Sequence, residues 1–229
     1  RVHWRQLRGP CPDMCAIAGI WLSGAQWAGS RCGPAEALEG RAGDGQGSFG
    51  IFGIARALAQ SMAHSMSHRG PDGQGVWSDR TGMLALAHRR LAVQDLSEAA
   101  AQPMCDPDGR HVIVFNGEIV NHRDWRGLVD HGPHRSTGDT ESLLRSLKAQ
   151  GAERTCEQSH GMFAWAWFNT HRQELVLARD RLGKKPLVVA SGPWGMAFAS
   201  ELSALLRLPM VSRTVDPSAL DHYLRWGHA

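Results

Sequence analysis

Several short stretches of this chain hold residues that could do chemistry. Cys15, in "PDMCAIAGIW" (Pro12 to Trp21), is a thiol at the head of an apolar, glycine-bearing run. A thiol becomes a nucleophile once a base or a cationic setting takes its proton. In "VFNGEIVNH" (Val114 to His122), Asn116 can donate through its side-chain NH2 and Gly117 through its backbone N–H. Two donors aimed at one point form an oxyanion hole. The same Asn-Gly pair is also the commonest hairpin signal, and on these residues alone the turn is the more frequent meaning. In "HRRLAVQDLS", the Arg90 guanidinium precedes Leu91 and Val93 and could clamp a carboxylate, or simply end a strand at the surface. In "RSTGDTESLL", Asp139 stands where a loop enters a helix, so it could hold an ammonium group or serve as the helix N-cap. His68, in "SHRGPDG", invites a Cys-His dyad with Cys15, although a histidine beside a Gly-Pro turn is more often structural. The charged "ARDRLGKKPL" reads as a turn between strands, and Trp165 and Trp167 read as core.

The bulk composition narrows the classes. Of 229 residues, 42% are hydrophobic and 21% charged, as in a soluble globular domain large enough to bury a sizeable core. A net charge of +3 with scattered basic residues gives little support for a nucleic-acid surface. No run approaches the roughly 18 apolar residues of a membrane span. The five cysteines are odd in number, irregularly spaced and without a CxxC pair. That argues against a disulfide framework and a structural zinc, and for a reducing cytoplasm.

The elements that must position these groups follow from periodicity. Strands are expected over Cys15 to Leu22, Met83 to Ala87, His111 to Phe115, Met162 to Phe168, Glu174 to Ala178, Leu187 to Ala190 and Met196 to Ala199. Helices are expected over Ile54 to Met66, Thr140 to Gln150, Glu201 to Leu206 and Pro217 to Leu224. His68 to Gly75 is turn chemistry, and the first strand block is followed by a Gly, Ala and Ser-rich loop or insertion over Ser23 to Gly50. "MFAWAWF" is apolar on both alternating faces, so that strand is covered on both sides. Runs of strands with helices between blocks indicate α+β with stacked sheets, and a four-layer α-β-β-α sandwich would satisfy every apolar face.

Taken in order, Cys15-Ala-Ile-Ala-Gly, "HRGPDG", "HRRLAV", "QPM", "FNGEI", "STGDTE", "GMFAWAWF", "ARDRLGKKPL" and "FASELSALL" resemble the glutaminase domain of class II glutamine amidotransferases. The likeness is greatest to the N-terminal half of glutamine-hydrolysing asparagine synthetases and spans roughly Met14 to Leu206. The resemblance implies an N-terminal nucleophile hydrolase fold. It implies that Cys15 attacks the glutamine side-chain amide and that Asn116 and Gly117 stabilise the oxyanion. Arg90, with the Leu91 and Val93 backbone, would take the α-carboxylate, and Glu118 and Asp139 the α-ammonium. The products would be glutamate and ammonia, with no metal or cofactor in this domain. ATP and magnesium would belong to a C-terminal synthetase domain that receives the ammonia. Nucleic acid and membrane are not expected partners, and a homodimer is left open.

Some departures from the family pattern matter. Ala16 and Val120 stand where Gly and Tyr are usual, which affects packing more than chemistry. No "SGGxDS" loop is present. The expected organisation is an extension over 1–14, a glutaminase domain over 15–208 and a run-in to a synthetase domain over 209–229. In such enzymes the free α-amine of the cysteine is the general base, and an amide at that nitrogen cannot be one. Exposure of Cys15 after Met14 is therefore required. Two alternatives are a different ammonia acceptor and a glutamine-binding domain left inactive because Cys15 is not N-terminal.

Overall fold

The alternation of side chains along each strand explains the layers seen in the computed structural model, which describes residues 14–23, 53–93, 95–126 and 132–227. In strand β1 (Ala16–Leu22), Ala16, Ala18, Ile20 and Leu22 join one apolar cluster while Ile17 joins another. The first cluster lies under helix α1 (Ile54–Ser65), whose Ala55, Leu58, Ala59, Met62 and Ala63 are buried against it. The second is the layer between two sheets. In the first sheet, β1 is central between β3 (Leu84–Arg90) and β9 (Gly195–Ala199), with β2 (Gly73–Ser78) and β8 (Val188–Gly192) at the edges.

The second sheet runs β4 (Met104–Cys105), β5 (His111–Ile119), β6 (Gly161–Asn169), β7 (Glu174–Arg179). All its pairings, like those of the first, are antiparallel. In β6, Ala164, Ala166 and Phe168 face the other sheet, while Phe163, Trp165 and Trp167 face outward. The outward face is covered by helix α2 (Asp139–Gln150) through Leu143, Leu144 and Leu147, followed directly by α3 (Ala152–Gln158). Helices α4 (Leu202–Leu205) and α5 (Pro217–Trp226) complete the described residues; the first packs with α1 and the second keeps no buried residue. The result is the expected α-β-β-α order, and Trp165 and Trp167 are core.

Several local expectations are corrected. The strand from His111 does not stop at Phe115: it runs through Asn116-Gly117-Glu118, which pair with Ala164, Phe163 and Met162, so the Asn-Gly pair forms no turn. Gly117 is required there for closeness, since a Cβ would lie 2.3 Å from the Met162 carbonyl oxygen and 2.7 Å from Phe163 Cα. Helix α2 begins at Asp139 with Gly138 as N-cap, so Asp139 is not the cap; Gly151, at φ +83°, does close it. The turn at His68 gives way to a strand at Gly73 rather than running to Gly75, and β2, β4 and α3 were not expected. The extension over 1–14, apart from Met14, and the 23–50 insertion, apart from Ser23, lie outside the described residues.

Gly19 lies between Leu86 and Phe198, its partners on the two neighbouring strands of the same sheet, and an added Cβ would fall 2.4 Å from the Phe198 ring and 3.0 Å from Leu86 Cδ2. Both neighbours are fully buried and cannot swing away. Gly19→Ala should therefore cost about 1–3 kcal/mol by overpacking, more than the few tenths gained from a stiffer unfolded chain. Urea denaturation measures this; unchanged stability would mean that the Phe198 ring does not lie over Gly19 as described.

Candidate active site

The chain ends of β1 and β5 meet at one mouth of the inter-sheet layer. Cys15 precedes β1 and shares the parity of Ile17, so it belongs to the inter-sheet side. Asn116 shares the parity of Val112 and Val114 on β5, which face the same layer. Between them is a cavity of about 400 Å³, within the usual range for a small-molecule site. All eight residues singled out from the sequence line it: Cys15, Arg90, Leu91, Val93, Asn116, Gly117, Glu118 and Asp139. His88, Asp95, Gln102, Lys184 and Lys185 line it as well.

The Cys15 thiol is held by one backbone residue. The Leu91 N–H donates to Sγ at 3.3 Å, and Sγ reaches the Leu91 carbonyl at 3.5 Å. The Cys15 carbonyl accepts from Arg69 Nε at 3.4 Å, and buried Arg69 in turn pairs with Glu201 at 3.2 Å. Burial pushes the Cys15 thiol above its ordinary pKa, against smaller lowering effects from Leu91, Lys185 and Arg90. The resting group is thus a thiol, not a thiolate. His68 donates toward Glu201 at 3.0 Å and does not line the cavity, so no Cys15–His68 dyad exists.

On β5 the donors are set by ladder geometry. The Phe163 N–H and carbonyl are both taken by Asp180, so the Gly117–Phe163 pair is the kind that exchanges no hydrogen bonds. Hence the Gly117 N–H turns away from β6. Its two neighbours in that row are spoken for: Phe115 N–H donates to Gln102 Oε1 at 2.6 Å and Ile119 N–H to Asp139 Oδ2 at 2.8 Å. The Gly117 N–H between them has no ladder partner. Asn116 is 1% exposed, and its Nδ2 has no partner among the described residues. Buried unpaired donors are uncommon in native proteins, and this one lies at the cavity.

The charged groups are positioned by loops. Arg90 Nη2 donates to the carbonyls of Asp95 and Ser97. Asp95 in turn accepts from Ser97, Ser136 and Thr137, which ties the loop after β3 to the loop before α2. These bonds hold its carboxyl well below the usual range. Asp139 is 5% exposed, and burial pushes its pKa up to about 6, opposed by the Ile119 N–H and reinforced by Glu118 nearby. Among the described residues no cationic side chain pairs with it. Val93 is 74% exposed at the rim, and Glu118 is exposed. His88, Asp95 and Gln102 were not singled out from the sequence; only their membership in "HRRLAVQDLS" and "QPM" marked them.

The family model described as "Glutamine amidotransferase domain" matches residues 47–229. The chain belongs to this glutamine amidotransferase family. The match includes Arg90, Asn116, Gly117, Glu118 and Asp139 and begins after Cys15. The chain is 37% identical over 182 residues to a putative glutamine-hydrolysing asparagine synthetase of Mycobacterium tuberculosis H37Rv, covering 74% of this chain and 28% of that protein. It is 33% identical over 184 residues to asparagine synthetase B of Escherichia coli K12, covering 77% and 32%. The amidase chry2 of Gibberella zeae is 30% identical over 160 residues, covering 68% and 24%. The chain thus spans a third or less of the relatives it matches. Among solved structures, the glutamine phosphoribosylpyrophosphate amidotransferase of Bacillus subtilis superposes with a TM-score of 0.59 at 18% identity, covering 83% of this chain and 43% of that one; the shared feature is the fold. No helix among the described residues is long and apolar enough to cross a membrane.

The raised Asp139 pKa has a signed consequence for stability. A carboxyl near 6 when folded and 3.8 when unfolded favours the fold while protonated, and that advantage is lost as pH rises through about 6. The penalty at neutral pH is at most about 3 kcal/mol. Asp139→Asn keeps an acceptor for the Ile119 N–H and removes the charge. It should stabilise the domain by about 1–3 kcal/mol at pH 7.5 and by almost nothing at pH 4. Denaturant titrations at the two pH values test this, and an Asn variant no more stable at pH 7.5 would contradict it.

Proposed function

We propose that this glutamine amidotransferase domain hydrolyses glutamine through Cys15. The thiol attacks the side-chain amide carbon, the Asn116 Nδ2 and Gly117 N–H hold the tetrahedral oxyanion, and ammonia leaves a γ-glutamyl thioester. Water then releases glutamate and the thiol. The observation that carries this reading is the pair of unspent donors on β5, one of them fully buried, facing the same cavity as the thiol. Arg90, with the Leu91 and Val93 backbone, takes the substrate α-carboxylate. Glu118 and the unpaired, buried Asp139 take the α-ammonium, which would repay the desolvation of Asp139.

A base must collect the thiol proton, because burial keeps Cys15 protonated. Among the described residues His88 is the one histidine that lines the cavity, and it is committed to the Phe115 carbonyl, while His68, away from the cavity, is committed to Glu201. We assign the base to the α-amine of Cys15, which titrates near neutrality when free. In the chain as given that nitrogen is an amide, and Met14 lines the cavity with its sulfur against Lys185. Residues 1–14 are accordingly read as an extension that must be removed, 15–208 as the glutaminase domain, and 209–229 as the run-in to a synthetase domain. That domain would use ATP and magnesium to amidate aspartate with the ammonia, in the cytoplasm. The likeness to an enzyme named as an amidase favours a second reading, in which the same ammonia goes to another acceptor.

The test compares ammonia release from glutamine by a chain started at Met14, with intact mass showing Cys15 exposed, and by the full chain. The processed form should exceed the extended form by about 10²–10⁴-fold. Equal rates with Arg1 retained would refute the α-amine base. In the processed enzyme Asn116→Ala should lower kcat about 10²–10³-fold. The KM for glutamine should rise as pH falls through about 6, where Asp139 takes up a proton and loses its hold on the ammonium. Asp139→Asn should show a high KM with that pH dependence gone.

A further inference from the structure

We propose that His88 is a positioning residue for glutamine hydrolysis: its Nε2–H, donated from one sheet to the Phe115 carbonyl of the other, fixes the peptide plane that carries Asn116. The inference rests on the oxyanion role given to Asn116 above.

His88 is the third residue from the end of β3 and shares the parity of Leu84 and Leu86, so it enters the layer between the sheets. It is 1% exposed and lines the cavity beside Cys15. Its Nε2 lies 3.2 Å from the Phe115 oxygen. A carbonyl only accepts, so Nε2 must carry the hydrogen. The ring is neutral: burial, with Arg89 and Arg90 on the same strand, lowers its pKa to about 3. The cavity also brings Asp139 and Lys185 to this end of the layer. Nδ1 is therefore a lone pair, buried without a partner among the described residues. A group so far from protonation at neutral pH is a poor proton acceptor, which removes the obvious catalytic role and leaves the hydrogen bond.

That bond falls at a critical place. Phe115 pairs with Trp165 in the same phase as Gly117 with Phe163, so its carbonyl points away from β6. Strand β4 would be the next partner, but its pairing ends at Ile113. His88 supplies the donor that the missing ladder residue would have supplied. The Phe115 carbonyl and the Asn116 nitrogen belong to one rigid peptide plane. On its far end the Asn116–Ala164 pair holds that plane to β6. On its near end His88 holds it, and His88 sits opposite Ile17, two residues from the thiol. The bond thus sets Asn116 relative to the sheet that carries Cys15.

The test uses steady-state glutamine hydrolysis by the processed enzyme together with NMR of the full chain. His88→Ala should lower kcat roughly 10- to 100-fold, the cost of a misplacement of about 1 Å, with KM and the pH profile unchanged. His88→Gln, whose amide NH2 can reach the same carbonyl, should recover most of the loss. A normal kcat in His88→Ala, a loss confined to KM, a changed pH profile, or equal impairment in a folded His88→Gln would each overturn the proposal. In 15N-histidine spectra of the unsubstituted chain, His88 should show the Nε2–H tautomer at every pH from 5 to 8, and the Asn116 side-chain amide should shift in His88→Gln far less than in His88→Ala. A titrating ring, the Nδ1–H tautomer, or an unmoved Asn116 amide would overturn it even if no form released ammonia, an outcome that would instead refute the glutaminase reading.

Discussion

Strand register is the constraint on which everything else depends. Side chains alternate across a strand, so a one-residue slip of β1 would send Cys15 to the helix-covered face and leave the cavity without its thiol. The register is fixed from both sides. On one side the Ile17 N–H donates to Ser200 Oγ and its carbonyl accepts from the Ser200 N–H, both at 2.9 Å. On the other, β3 pairs with β1 along six residues. Packing adds a selection by size. The face under α1 is built from Ala16, Ala18, Ala85, Ala87, Ala197 and Ala199, which lets the helix alanines approach closely. The inner face carries Ile17, Leu84, Leu86 and Phe198. A slipped strand would bring large side chains to the close face and alanines to the wide one, with overpacking and voids together.

The second requirement is that three loops from distant parts of the chain stay together at the cavity mouth. Asp95 does most of this. Its backbone oxygen holds Arg90, and its carboxylate collects donors from Ser97, Ser136 and Thr137. Arg126 closes the same corner by donating to the carbonyls of Ser136, Thr137 and Gly138. The Asp72 side chain accepts from the Ala92 N–H at 2.8 Å, so the "RGPDG" stretch braces the loop that holds the thiol. These are polar contacts between partly exposed segments, each modest in net energy. Their value is geometric: they hold Arg90 and Asp139 in fixed places around one volume.

What the sequence made legible follows from the range of the interactions. "MFAWAWF" announced a doubly covered strand because that signal is local and strong, and the helices at 54 and 140 were readable from their spacing. The short strand β4 and helix α3 carry too few residues to show a period, and both owe their form to neighbours. The Asn-Gly pair misleads because local propensity favours a turn, while the β6 pairing, forty-odd residues away in sequence, keeps it extended. Asp139 misleads in the same way: it has the right type for a helix cap, yet its carboxylate is drawn to the Ile119 N–H and Gly138 takes the cap position. The eight site residues were gathered by the ordered family motifs, not by their individual chemistry. His88, Asp95 and Gln102 act through partners that only the fold brings near, so nothing in their types set them apart.

Desolvation governs the electrostatics of the cavity. It is the largest influence on the Cys15 thiol, on His88 and on Asp139, and in each case it disfavours the charged form. A charge that enters such surroundings must find a counter-charge already in place. Asp139 is such a counter-charge: a buried carboxylate that no cationic side chain pairs among the described residues, sharing its cavity with the guanidinium of Arg90. An amine without a carboxylate would leave Arg90 uncompensated, and a carboxylate without an amine would leave Asp139 so. Only a ligand bearing both charges answers both demands, and the unspent donors of Asn116 and Gly117 then require a carbonyl carbon within reach of Sγ. A free amino acid with a side-chain amide satisfies all of these at once, so under the proposed reading its recognition depends on burial and not on any single contact.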